Sequence, residues 1–173
     1  MVTVRLDADE LDYVRGVAQD VTSRRLGAPE PAMAHKRTPE QNFDYTYRAF
    51  AAEYAVAKYL DQPWLENYNG PAGFDVAPNI EVRNTVPNRQ LYIKARELHA
   101  GEYSKPPHTR YVLTYSTEPD TVTLIGYITA ADAVKCINPY KPSNGPILGY
   151  LIGREYLIPI TELRELLAVD HGR

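Results

Sequence analysis

The chain reads as a mixed helix-and-strand fold, α+β or α/β, with a single mixed β-sheet flanked by helices. Three observations predict it. Pro39–Asp61 carries apolar residues at three- and four-residue spacing, the mark of a helix with one buried face. From Phe74 to Ile128, short runs rich in Val, Ile, Tyr and Thr are separated by tight turns, the mark of strands. Helical patterns also stand before and after those strands, so they can cover a sheet from its faces.

With 173 residues, one domain is expected, large enough to bury a core without staples. Apolar residues at 44% and charged residues at 24% are those of a globular protein in water. No apolar run approaches the ~20 residues of a membrane span. The segment Met1–Asp7 lacks the basic-then-apolar pattern of a secretory signal. A single cysteine, Cys136, excludes an internal disulfide and favours the cytoplasm. The net charge of −3 argues against a surface that coats nucleic acid all round. Between Arg83 and Arg110, however, Arg83, Arg89, Lys94, Arg96, Lys105 and Arg110 face only Glu97 and Glu102. Such a strip suits phosphate contacts, and it equally suits a solvated strand face.

Element by element, residues 2–6 alternate as a strand, and Asp7 to Glu10 spell a capping box ahead of Leu11, Val14, Val17 and Val21. A helix is predicted from about Ala8 to Arg25. Leu26–Pro39, with Gly27 and several prolines, is predicted as a loop, closing an N-terminal strand–helix extension of about residues 1–38. In the helix that follows, Phe43, Tyr47, Phe50, Tyr54 and Ala57 form the buried stripe. Phe74-Asp75-Val76 is predicted as a short strand, Ala77-Pro78-Asn79 as a tight turn, Ile80–Thr85 and Leu91–Ala95 as the next strands. Arg110–Tyr115 and Val122–Ile128 make a hairpin. Thr129 caps a short helix (Ala130–Cys136), Ile147–Leu157 is a strand region, and Pro159–Val169 a closing amphipathic helix.

The residues that carry chemistry are acidic. Glu53 sits on the stripe of Ala49, Ala52, Val56 and Leu60, where an unpaired charge would cost on the order of several kcal/mol. A cation or a set of donors is expected beside it, unless it lies at the edge of the stripe and reaches solvent or an arginine. Along Ile80–Asn84, Glu81 and Arg83 share one strand face while Ile80 and Val82 take the other. Asp75 lies across a turn short enough to bring its carboxylate level with Glu81. Lys94, on the following strand, is expected on the same side as Arg83. Carboxylates converging from a helix and a strand pair suit Mg²⁺, which takes hard oxygen ligands, and two or three suffice for metal-assisted hydrolysis.

This arrangement resembles the signature of the PD-(D/E)XK nuclease superfamily: Glu in an Ala-rich helix, then Asp, a short turn, and Glu-x-Lys on the next strand. Here it runs as Ala52-Glu53-Tyr54-Ala55-Val56-Ala57, Gly73-Phe74-Asp75-Val76 and Ile80-Glu81-Val82-Arg83. Phe50–Arg96 resembles small, uncharacterised phage-encoded members, and Tyr111-Val112-Leu113, Leu124–Ile128 and Tyr156–Pro159 look similar too. The resemblance implies a restriction-endonuclease-like core in a single nuclease-like domain, DNA as substrate, and Mg²⁺ or Mn²⁺ as cofactor. It implies that Asp75, Glu81, the carbonyl of Val82 and Glu53 hold the ion, with Arg83 and Lys94 stabilising the transition state. It also implies the option of a homodimer, since many nucleases cut two strands as dimers. Arg83 stands where the superfamily has lysine, and no proline precedes Asp75. Arginine supplies charge but does not shed a proton near neutral pH, so Lys94 is the candidate for a relocated lysine. The alternative is a nuclease-like fold without catalysis that binds DNA or a protein.

Other chemistries find less support. His35, His99, His108 and His171 lack zinc-type spacing. No Gly-x-Ser-x-Gly elbow, phosphate-cradling loop or dinucleotide fingerprint is present. Gly126-Tyr127-Ile128 matches half of a GIY-YIG motif and reads more simply as a core strand; Cys136 reads as a small core residue. Most of the 14 tyrosines suit half-buried strand and helix positions, and some could stack on bases.

Overall fold

The structure is a computed structural model and describes residues 1–25, 38–66, 73–86, 89–99, 104–135, 139–140 and 148–171. It is an α+β arrangement with β1 (Val2–Arg5), α1 (Ala8–Arg25), α2 (Pro39–Leu60), β2 (Ile80–Thr85), β3 (Leu91–Lys94) and α3 (Ala95–Leu98). There follow β4 (Arg110–Glu118), β5 (Thr121–Thr129), α4 (Ala130–Ala133), β6 (Pro139–Tyr140), β7 (Gly149–Ile152), a 3₁₀ turn at Arg154–Tyr156 and α5 (Ile160–His171).

Local chemistry sets the helix starts. At α1 the Asp7 carboxylate accepts from the Glu10 amide at 3.0 Å, and Glu10 Oε2 accepts from the Asp7 amide at 2.9 Å, the expected box. At α2, Thr38 Oγ1 and Gln41 Oε1 close a second box at 3.3 and 3.0 Å, with Pro39 in the first turn, where its missing N–H costs nothing. Thr129 Oγ1 takes the Asp132 amide at 3.1 Å to start α4, which is one turn long. The predicted loop 26–37 lies outside the described residues, as do Cys136 and most of the Asn138–Pro146 loop.

The strands form two sheets, which corrects the expectation of one. The larger is mixed, in order β1-β5-β4-β2: β1 and β4 run antiparallel to β5, and β2 runs parallel to β4. The smaller is β3-β7-β6, antiparallel throughout. Leu91–Lys94 therefore pairs not with β2 but with Gly149–Ile152, and Ala95 begins a helix. Phe74–Val76 is likewise not a strand: Val76 makes isolated bridges with Trp64 and Ile80, around a turn through Ala77, Pro78 and Asn79.

Two cores follow from the strand alternation. On one face of the large sheet Ile80, Val82, Val112, Val122 and Leu124 pack against Val14 and Ala18 of α1, Ala51, Ala55 and Val56 of α2, and Ile160 and Leu163 of α5. On the other, Tyr111, Leu113, Ile125 and Ile128 pack against Leu91, Ile93, Tyr150 and Ile152 of the small sheet. The layers are helices, large sheet, small sheet. Among the described residues no helix is long and apolar enough to cross a membrane.

Candidate active site

The site grows from β2, an edge strand of the large sheet. Its inner face gives Ile80 and Val82 to the helical core, which turns Glu81 and Arg83 toward the opposite side, level with Tyr111 and Leu113 of β4. An edge strand presents backbone groups that still need partners. The segment before β2 supplies them: the amides of Asp75 and Val76 donate to the Ile80 carbonyl at 3.0 and 3.2 Å, and Ile80 N–H donates to Val76 at 3.0 Å. The Asp75 side chain continues the edge, its Oδ2 accepting from the Val82 amide at 2.6 Å. Asp75 thus reaches β2 at the Val82 amide, by way of a turn and not a strand pair.

Glu81 is 4% exposed. Its two oxygens are divided between cations: Oε2 lies 3.1 Å from Arg83 Nη1 and Oε1 lies 2.7 Å from Lys105 Nζ. Arg83 reaches further, with Nη1 at 3.2 Å from the Val82 carbonyl and 4.0 Å from Asp75 Oδ2, and Nη2 at 2.6 Å from Glu97 Oε2. The ring of Tyr111 lies under its guanidinium carbon, 5.5 Å from centroid to carbon. Lys105 also donates to the Gly73 carbonyl and lies 4.6 Å from the Phe74 ring centre. Glu53 arrives from α2, and its Oε2 accepts from Trp64 Nε1 at 3.1 Å. Trp64 is fixed in turn by edge-on contacts with Phe50, Tyr54 and Tyr13.

The electrostatics follow from this crowding. Burial, and next the Asp75 charge, push the Glu53 carboxyl well above its ordinary range, with Glu81 adding and the Trp64 hydrogen bond and Arg83 opposing. Burial and the Glu81 charge push Asp75 up to about 7 against the pull of Arg83, the Val82 amide and Lys105. Burial works against the charge on Arg83, yet Glu97, Glu81 and Asp75 together outweigh it and raise its pKa. Four carboxylates, Glu53, Asp75, Glu81 and Glu97, meet two cations, Arg83 and Lys105, and the raised pKa of Glu53 and Asp75 reduces the negative charge that this count alone would give. Carboxylate and carbonyl oxygens are the donors Mg²⁺ takes. In type the residues fit such an ion. Among the described residues, however, no three His, Cys, Asp or Glu side chains stand in a metal-holding group.

Of the residues named from sequence, Glu53, Asp75, Glu81, Val82 and Arg83 come together. Lys94 does not. It is exposed, at the end of β3 in the small sheet opposite Gly149, and takes no part in the ion pairs of the described residues. The lysine of the cluster is Lys105, only 8% exposed. It is brought in where its backbone amide donates to the Glu97 carbonyl at 2.7 Å. Glu97 and Trp64 were also not anticipated. Glu97 had a faint signal as one of two acids in a basic strip; Lys105 had none to set it apart from its neighbours. Comparison with known protein families, with curated proteins and with solved structures matches none of them.

Proposed function

We propose that the protein is a metal-dependent phosphodiesterase that hydrolyses DNA, with Mg²⁺ or Mn²⁺ as its cofactor. The observation that supports this most is the meeting, at one edge of the large sheet, of Glu53, Asp75 and Glu81 with Arg83 and Lys105, where burial and mutual repulsion raise the pKa of Glu53 and Asp75. In this reading Asp75, Glu81 and the Val82 carbonyl hold the ion, and Glu53 holds it or a water. When bound, the ion would lower the pKa of a water and offset charge on the phosphate. Arg83, whose side chain is 28% exposed, meets the phosphate oxygens from its open side. Lys105 keeps Glu81 oriented and adds fixed positive charge where negative charge develops. DNA as the partner, a homodimer for cutting both strands, a restriction-endonuclease-like core and the host cytoplasm as the setting belong to the same proposal.

The test is incubation of purified protein with linear, circular and branched DNA in Mg²⁺, in Mn²⁺ and in chelator. Cleavage that needs the ion and is lost in Asp75→Asn, with the variant's circular dichroism unchanged, is the expected result. No cleavage under any condition, or cleavage indifferent to chelator, would remove the enzymatic reading.

One observation favours a second reading, a nuclease-like fold that only binds DNA or a protein. Arg83 already engages Glu81, the Val82 carbonyl and Glu97, so a protein cation occupies part of the role an ion would take. A pure binder retains DNA or protein association and shows no heat on titration with MnCl₂.

A further inference from the structure

Glu97 is a buried carboxylate that the proposed reaction does not use. It is 6% exposed, lies on the four-residue helix α3, and its Oε2 is 2.6 Å from Arg83 Nη2. Its backbone carbonyl receives the Lys105 backbone amide at 2.7 Å, so the same residue also anchors the segment that carries Lys105. The other nitrogen of the fork, Nη1, goes to Glu81 and the Val82 carbonyl. The guanidinium is therefore held from two directions over the Tyr111 ring. Left without Glu97, a planar fork beside a carboxylate settles bidentate on it. Here that carboxylate would be Glu81.

We infer that Glu97 is the positioning residue of Arg83: by engaging Nη2 it prevents the arginine from closing both nitrogens on Glu81, whose other oxygen stays with Lys105, and so keeps the open side of Arg83 toward substrate. This rests on the hydrolase reading for its purpose, but the fixing of Arg83 stands on its own geometry. A substitution at Glu97 acts through Arg83, as outer partners act through the ligands they orient.

The test has two arms. In the first, NMR of arginine-labelled protein follows the Nη–H signals of Arg83, which are separate when the guanidinium cannot rotate. Wild type gives separate signals; Glu97→Gln, and equally Glu97→Asp with its retracted carboxylate, collapses them into an average. Separate, unchanged signals in a folded Glu97 variant overturn the inference. Should Glu97→Gln fail to fold, Glu97→Asp decides. In the second arm, Glu97→Gln lowers kcat for DNA cleavage about 10- to 100-fold with KM little changed, and adds nothing further on an Arg83→Gln background. Additive losses would show that Glu97 does not work through Arg83, and would overturn it. If wild type cleaves no DNA, the hydrolase reading fails while the NMR arm still decides the role of Glu97.

Discussion

Lys94 and Lys105 belong to the same basic stretch, yet one is exposed and the other has its side chain 3% exposed against Glu81. Their substitutions should diverge accordingly. Removing the buried cation leaves the Glu81 carboxylate with one partner fewer in a place water does not reach. Lys105→Met is expected to cost about 3–5 kcal/mol in urea unfolding and to abolish metal-dependent cleavage. Lys94→Ala should stay within about 0.5 kcal/mol of wild type and cleave normally. The reverse pattern would return the role to Lys94. Asp75 gives a second prediction. Its folded pKa of about 7 lies above that of an unfolded aspartate, so the folded state holds the proton longer. Below the unfolded value both states are protonated and nothing is lost. As pH rises from about 4 toward about 7 the unfolded chain releases its proton first, and stability falls; above about 7 the loss levels off. Glu53, also raised, acts in the same direction. Thermal unfolding of metal-free protein across this range should show the decline, and Asp75→Asn should flatten it.

Two helix starts were legible because caps are local chemistry: Asp7 with Glu10 and Thr129 with the first turn of α4 each act within a single turn, while at α2 Pro39 marked the start and the Thr38–Gln41 box emerged only in the fold. The β4–β5 hairpin was legible for the same reason, its turn lying between its strands. The partition into two sheets was not, because it depends on which distant strand Leu91–Lys94 meets, and β7 carries nothing in its residues that names β3 as its partner. The misplacement of Lys94 descends from that one error. The carboxylates survived it, since Asp75, Glu81 and Arg83 are joined across a short turn and Glu53 stands on a helix whose buried stripe was plain. One contact between elements can be tested directly. A Cβ at Gly126 of β5 would lie 2.6 Å from the Ile158 carbonyl oxygen, which accepts from the Tyr127 amide at 2.9 Å just before α5. The neighbour is backbone and cannot swing aside. Gly126→Ala should therefore loosen α5 and destabilise the protein by about 1–3 kcal/mol, read as a lower urea midpoint. An unchanged midpoint would mean that this bridge does not seat the helix.

At the scale of the whole molecule, two cores on opposite faces of the large sheet leave its β2 edge as the seam where helical layer, large sheet and small sheet meet. Charged groups gather there from α2, from the turn before β2, from β2 itself, from α3 and from the segment of Lys105. Carboxylates buried this close repel one another; Arg83, Lys105 and the protons held on Glu53 and Asp75 offset part of that repulsion, and we propose that a divalent cation offsets the rest. The most direct measurement is calorimetric titration of the purified protein with MnCl₂ at pH 8, above the Asp75 pKa. Saturable heat that disappears in Asp75→Asn and persists in Lys94→Ala is the predicted result. No heat from the folded wild type, or heat that Asp75→Asn leaves untouched, would contradict it.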